Sequence, residues 1–187
     1  MVTAIFAAEI AFWAVLAAGL AARYPARQDR LGTLLLRAVP LVDLALVVLV
    51  AADLAGGAEP SRAHAFAAVY LGFTVAFGRA TIAWADAWFH HRFAGGPRPA
   101  TPAKGSRAEV VALWREWLRV LLADVIAGVV LLALAAVGGV ALPRSLDELA
   151  RHPYWSVPAL LGIVTAVWFL AGPAFAGTGR PEAAERR

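Results

Sequence analysis

The sequence predicts an all-α, polytopic membrane bundle of five transmembrane helices, with an amphipathic interfacial helix leading into the fourth. Three observations predict it. Of 187 residues, 61% are hydrophobic, well above the 45–50% of a soluble domain, and the mean hydropathy is +0.68. Five long apolar stretches lie between Val2 and Ala176, and a helical crossing needs roughly 20 predominantly apolar residues. The intervals between them are polar and rich in Gly and Pro, and the longest, Arg92 to Arg107, is too short for a second folded domain. Residues 1–176 are therefore expected to form one membrane domain, followed by a disordered cytoplasmic tail at residues 177–187.

Segment one covers residues 2–22 and stops at Arg23-Tyr24-Pro25, where proline breaks the helix. Met1 to Ile10 holds Glu9 but no Lys or Arg, and Arg23, Arg27 and Arg30 follow the apolar run. That flank order predicts an uncleaved first helix rather than a signal peptide. Segment two, residues 31–56, passes through Arg37, Pro40, Asp43 and Asp53 and ends at Gly56-Gly57. Segment three runs unbroken over residues 62–93; at 1.5 Å per residue it reaches roughly 48 Å, longer than the ~30 Å hydrocarbon core, so its last turns protrude or tilt.

A loop at residues 94–106 follows. Residues 107–119 place Val110, Leu113, Trp114, Trp117 and Leu118 on one face, opposite Arg107, Arg115, Glu116 and Arg119, which predicts the interfacial helix. Segment four covers residues 118–142, a mixed-charge turn residues 143–153, and the uncharged segment five residues 154–176.

Basic residues set the orientation. The first and third connections carry eight, and the second and fourth only Arg62, Arg144 and Arg151. The amino terminus is thus expected outside and the carboxy terminus in the cytoplasm of a bacterial inner membrane. Tyr24, Trp84, Trp88, Trp114, Trp117, Tyr154 and Trp155 fit interfacial aromatic belts.

Several functions are excluded. Without cysteine there are no disulfides, thiolate metal sites or cysteine nucleophiles. The +4 charge flanks the spans instead of forming one patch, so no nucleic-acid partner is expected. Of the 17 basic residues only Lys104 is lysine, and asparagine is absent, a bias of GC-rich coding that weakens the reading of any single arginine. No metalloprotease, Walker or dinucleotide motif occurs, and the serines lack a nucleophile-elbow context. Adjacent His90 and His91 point about 100° apart on a helix and make poor joint ligands, so neither a metal nor a cofactor is expected.

What remains are the ionisable groups inside the apolar segments, each costly by about 2.5–3.5 kcal/mol and hence a candidate for function. Asp43 lies near the midplane one turn after Pro40, whose ring removes a helical donor, as in many ion and proton sites. The opposing interpretation is a structural Asp paired through Arg37 or a tyrosine. Arg79 and Asp124 share a depth on segments three and four and are expected to form a structural ion pair. Arg79, Asp86 and His90 form a stripe at the inner mouth, where Asp86 and His90 could relay protons or simply make an interfacial pair. Glu9 and His64 lie toward the outer face and are expected to pair.

Three stretches carry a resemblance. They are Val39-Pro40-Leu41-Val42-Asp43-Leu44; Ala63-His64 with Val69-Tyr70-Leu71-Gly72-Phe73 and Ala76-Phe77-Gly78; and Trp84-Ala85-Asp86 with Arg92-Phe93-Ala94-Gly95-Gly96-Pro97. In this order they resemble the YmcC-like family of small, uncharacterised bacterial integral membrane proteins, over roughly residues 1–125. The resemblance implies a membrane location and no chemistry, and it directs attention to Pro40, Asp43, His64, Tyr70, Asp86 and the Gly95-Gly96-Pro97 loop.

The leading expectation is a non-enzymatic protein that binds or conducts a proton, cation or small solute at a polar site around Asp43, with Pro40, Tyr70, Glu9 and His64 as companions. An accessory or scaffolding subunit is the second expectation, from small-residue faces at Gly128, Ala135 and Gly138-Gly139 and at Ala159, Gly162 and Ala166. A membrane-embedded enzyme acting on lipid through Asp86, His90, His91 and Arg92 is the third. The expected partners are the lipid bilayer and a second copy or another membrane protein.

Overall fold

The computed structural model describes residues 2–176; within the first two helices the side chains of Val2, Ala4, Ile5, Ala8, Glu9, Pro40 and Asp43 lie outside the description, as does the expected tail. The described residues form six α-helices and no strand: α1 (Val2–Arg23), α2 (Asp29–Ala55), α3 (Arg62–Phe93), α4 (Arg107–Val137), α5 (Leu146–Arg151) and α6 (Ser156–Ala171), closed by a 3₁₀ turn at Pro173–Phe175. The chain is a helical membrane bundle. Among the described residues four helices are long and apolar enough to cross a bilayer: α2, α3, α4, and α6 with its 3₁₀ turn. α1 has 22 residues, of which Ile10–Arg23 forms a shorter apolar run.

The bundle is two helical hairpins, α1 on α2 and α3 on α4, joined where α2 meets α3, with α6 against α4. Small residues make the close approaches. A Cβ added at Gly32 would lie 2.7 Å from the Gly19 carbonyl oxygen and 2.7 Å from Arg23 Cβ. One added at Gly72 would collide with the Ala123 carbonyl and stand 3.0 Å from Ala127 Cβ. Ala65, Ala67, Ala68, Ala123 and Ala127 are fully buried, whereas Leu34, Leu41, Val48, Val125, Val129 and Leu132 face outward. Large aliphatics outside and small residues inside suit a lipid solvent, where packing rather than apolar burial draws helices together.

Two apolar clusters close the ends of the bundle. At the arginine-rich end, Leu16 and Leu20 of α1 meet Leu36 of α2 and Ala85 of α3. At the opposite end, Leu46, Val50 and Leu54 of α2 meet Leu131 and Leu134 of α4 and the ring of Tyr154.

Both boundaries of α4 differ from expectation, and the expected segment 154–176 is divided into α6 and the 3₁₀ turn. Residues 107–119 are not a separate interfacial helix but the first turns of α4. Neither Gly nor Pro occurs from Arg107 to Ala127, so nothing interrupts the hydrogen-bond ladder. α4 then ends at Val137, five residues before the expected boundary at 142, because Gly138-Gly139 turns the chain with Gly139 at φ 63°. The mixed-charge turn holds the one and a half turns of α5, capped by the Ser145 hydroxyl, which accepts from the Glu148 N–H at 3.1 Å.

Candidate functional site

Polar groups within the bundle gather at three levels. At the arginine-rich end, Asp86 of α3 faces α1. Its Oδ1 accepts from Arg23 Nη1 at 3.1 Å and from the Tyr24 hydroxyl at 2.8 Å, and the same hydroxyl lies 3.1 Å from the Asp86 carbonyl. Burial, followed by the hydrogen bond to Asp86, raises the Tyr24 hydroxyl above its ordinary pKa. Asp86 is thus tied across to α1 rather than along α3 to His90. His90 is exposed and stacks loosely on Tyr24, with ring centroids 6.4 Å apart. His91 bonds the loop instead, its Nδ1 lying 2.9 Å from the Gly96 carbonyl oxygen.

The expected ion pair between Arg79 and Asp124 does not form. Arg79 lines a cavity of about 250 Å³ together with Arg23, Arg37 and Asp86, between α1, α2 and α3. α4 turns Asp124 toward α6 instead, where Oδ2 accepts from the Thr165 hydroxyl at 2.5 Å. Trp117 braces the same spot by donating its indole N–H to the Thr165 carbonyl at 3.4 Å. Among the described residues the buried Asp124 Oδ1 has no hydrogen-bond partner. Thr165 is itself buried, so the pair is shielded on the α6 side.

Asp43 and Asp124 lie within about one helical turn of each other along the bundle. Asp43 comes twelve residues before the end of α2 at Ala55, and Asp124 thirteen before the end of α4 at Val137. At 1.5 Å per residue these are depths of about 18 Å and about 20 Å. The two ends are aligned, because Leu54 packs beside Gly138. The helix α2 runs through Pro40 and Asp43 without a break in its assignment. Asp43, Pro40 and Glu9, named from the sequence, have side chains outside the described residues.

At the opposite end His64 is buried and meets Asp53 and Ser61, while the side chain of Glu9, its expected partner, lies outside the described residues. His64 Nε2 lies 2.9 Å from Asp53 Oδ2, and its Nδ1 lies 3.1 Å from the Ser61 N–H and 2.8 Å from the Ser61 hydroxyl. The backbone N–H occupies Nδ1, which leaves the ring proton on Nε2 for Asp53. A Ser, a His and an Asp therefore meet, but the imidazole nitrogen beside the serine is already an acceptor for the backbone. The group works as a clasp that caps α3 and ties it to α2. The signal was the Ser61-x-x-His64 spacing, a capping box with His in the place of Glu. Tyr70 lies one level deeper, on the wall of an apolar cavity of about 530 Å³ formed with Phe6, Phe66, Val69 and Phe73.

Among the described residues no group of three or more His, Asp or Glu is placed to hold a metal ion. Over 83 residues the chain is 45% identical to a Bacillus subtilis protein named "Uncharacterized membrane protein YmcC". The chain is similar to a membrane protein. The match covers 44% of this chain and spans about 45% of the relative's length. No family model matches, and no solved structure matches. Together with the apolar helices, the likeness makes this a multi-pass membrane protein.

Proposed function

We propose that this protein is a non-enzymatic, multi-pass protein of the bacterial cytoplasmic membrane that binds or conducts a proton or small cation at mid-membrane carboxylates. Asp124 and Thr165 supply the described part of the site, and Asp43 lies within about one helical turn of Asp124 along the bundle. The observation that carries the reading is the orphaned Oδ1 of Asp124. A buried carboxylate oxygen without a donor is costly, and a proton or a cation is the partner it lacks. The Thr165 hydroxyl holds the other oxygen and so orients the group. A carboxylate in a membrane span is by default a functional candidate. The excess of arginine in the first and third connections supports an amino terminus outside and a carboxy terminus in the cytoplasm.

Infrared difference spectra of the reconstituted protein, recorded between acidic and alkaline buffers and with and without added Na⁺ or K⁺, test the site. A carboxyl band that responds to one of these changes and is lost in Asp124→Asn is the expected result. An identical spectrum in Asp124→Asn rejects Asp124 as the binding group.

A second reading, the accessory or scaffolding subunit, is favoured by one observation. Among the described residues, nothing beyond the local helix backbone stands within 4 Å of a Cβ built at Gly128 or Gly162, and Ala166 on α6 is exposed, so small residues remain on an open face. Native mass spectrometry of protein extracted from its own membrane decides it: a stoichiometric second polypeptide supports a subunit role, and a sharp monomer counts against it.

A further inference from the structure

The cavity between α1, α2 and α3 has an unbalanced charge. Three guanidinium groups, Arg23, Arg37 and Arg79, line it against the single carboxylate of Asp86. Asp86 is already bound by Arg23 and Tyr24. Arg37 and Arg79 form no ion pair among the described residues, so the lining carries a net charge of +2. Neither lies at a helix end: Arg37 is eight residues inside α2, and Arg79 fourteen residues before the end of the long helix α3, and both residues are exposed on the open side of the cavity. Unpaired arginines within apolar helices call for a counter-charge.

We propose that this cavity binds the phosphate of an anionic phospholipid. The planar guanidinium forks of Arg37 and Arg79 match phosphate oxygens, and the Thr33 hydroxyl, also on the wall, adds a donor. The cavity, about 250 Å³ and open on one side, leaves room for a phosphodiester headgroup to enter from the surface. Leu36, Ile82 and Ala83 make the remaining wall apolar, as an acyl chain leaving the headgroup requires. Thr33 and Arg37 also line an adjoining cleft of about 380 Å³ along α2, past Leu34, which faces outward. The cavity is thus continuous with the lipid-facing side of α2, a feature that favours a lipid source over a soluble anion. The Arg23–Asp86–Tyr24 tether fixes α1 against α3 and so keeps the cavity walls in place. Basic pockets between membrane helices are a known mode of anionic-headgroup recognition.

The test is native mass spectrometry of the full chain in detergent. It is titrated with phosphatidylglycerol, with phosphatidylcholine of the same acyl chains, and with inorganic phosphate. Wild type is expected to retain one phosphatidylglycerol, with phosphatidylcholine weaker by roughly tenfold, the loss typical of a charge-assisted contact. Arg37→Gln and Arg79→Gln are each expected to weaken phosphatidylglycerol binding by roughly tenfold, and Arg62→Gln at the opposite end to leave it unchanged. Millimolar inorganic phosphate is expected not to displace the lipid. Equal retention of the two lipids by wild type overturns the proposal, whether or not the variants fold. Unchanged binding in both arginine variants overturns it as well, and displacement by inorganic phosphate rejects the lipid source.

Discussion

Tyr154 shows how a single polar group is accommodated in this bundle. Its ring is fully buried between α4 and the start of α6, and its hydroxyl donates to the Leu131 carbonyl at 2.6 Å. Burial pushes its pKa from 10.0 up to about 12, because the phenolate has no solvent there. The folded state thus favours the protonated form. The associated stability is fully present below pH 10 and is lost as the pH rises from about 10 to about 12. Two pKa units correspond to about 2–3 kcal/mol. Thermal unfolding in detergent is expected to show a midpoint that falls across this window in wild type. In Tyr154→Phe the fall should be much smaller, with a cost of about 1 kcal/mol at neutral pH for the lost hydrogen bond. A midpoint equally pH-dependent in Tyr154→Phe would assign the effect elsewhere.

At the scale of elements, the approach of α3 to α4 turns on Gly72. Any side chain there meets the Ala123 backbone, which cannot swing aside as a flexible side chain would. Gly72→Val is expected to destabilise the bundle by about 1–3 kcal/mol, whereas Gly128→Ala, in open space, should be nearly neutral. Unfolding in graded denaturant compares the two; equal effects would contradict the close approach.

The helices themselves were legible in the sequence. α3 begins and ends where its unbroken apolar run does, and α1 and α2 agree within two residues, because Pro25 and Gly56-Gly57 punctuate them. The partners of the charged groups were less legible. Position along one helix follows from residue count, but the register and azimuth between helices follow from tertiary packing. The close approach of α3 to α4 sets Gly72 against Ala123 and Ala127, so Asp124 lies at that contact. Arg79 lies seven residues, roughly 10 Å, farther along α3, where it meets a cavity beside α1 and α2 while Asp124 meets the hydroxyl of Thr165. Asp53 and His64 could be matched only once the α2–α3 turn brought them together, although they are eleven residues apart. The lone threonine of α6, Thr165, carried no sequence signal that linked it to Asp124.

For the whole molecule, two polar ends follow one another along the bundle axis. The tethers Arg23–Asp86 and Asp53–His64 fasten neighbouring helices at the two ends, and Asp43 and Asp124 lie between them. The chain contains no cysteine, so single cysteines report topology directly. Ala58→Cys, in the α2–α3 turn, is expected to react with a membrane-impermeant maleimide in intact cells. Ala103→Cys, in the α3–α4 loop, should react only after lysis. The reverse pattern would invert the proposed orientation while leaving the bundle intact.

The most direct measurement is gradient dissipation by the purified full chain in liposomes, with imposed proton, Na⁺ and K⁺ gradients followed by ion-sensitive dyes. Wild type is expected to dissipate at least one gradient faster than empty liposomes, and Asp124→Asn and Asp43→Asn to remove most of that excess rate. If wild type matches empty liposomes for every ion, or if both variants conduct as wild type does, the conducting role at the mid-membrane carboxylates is contradicted.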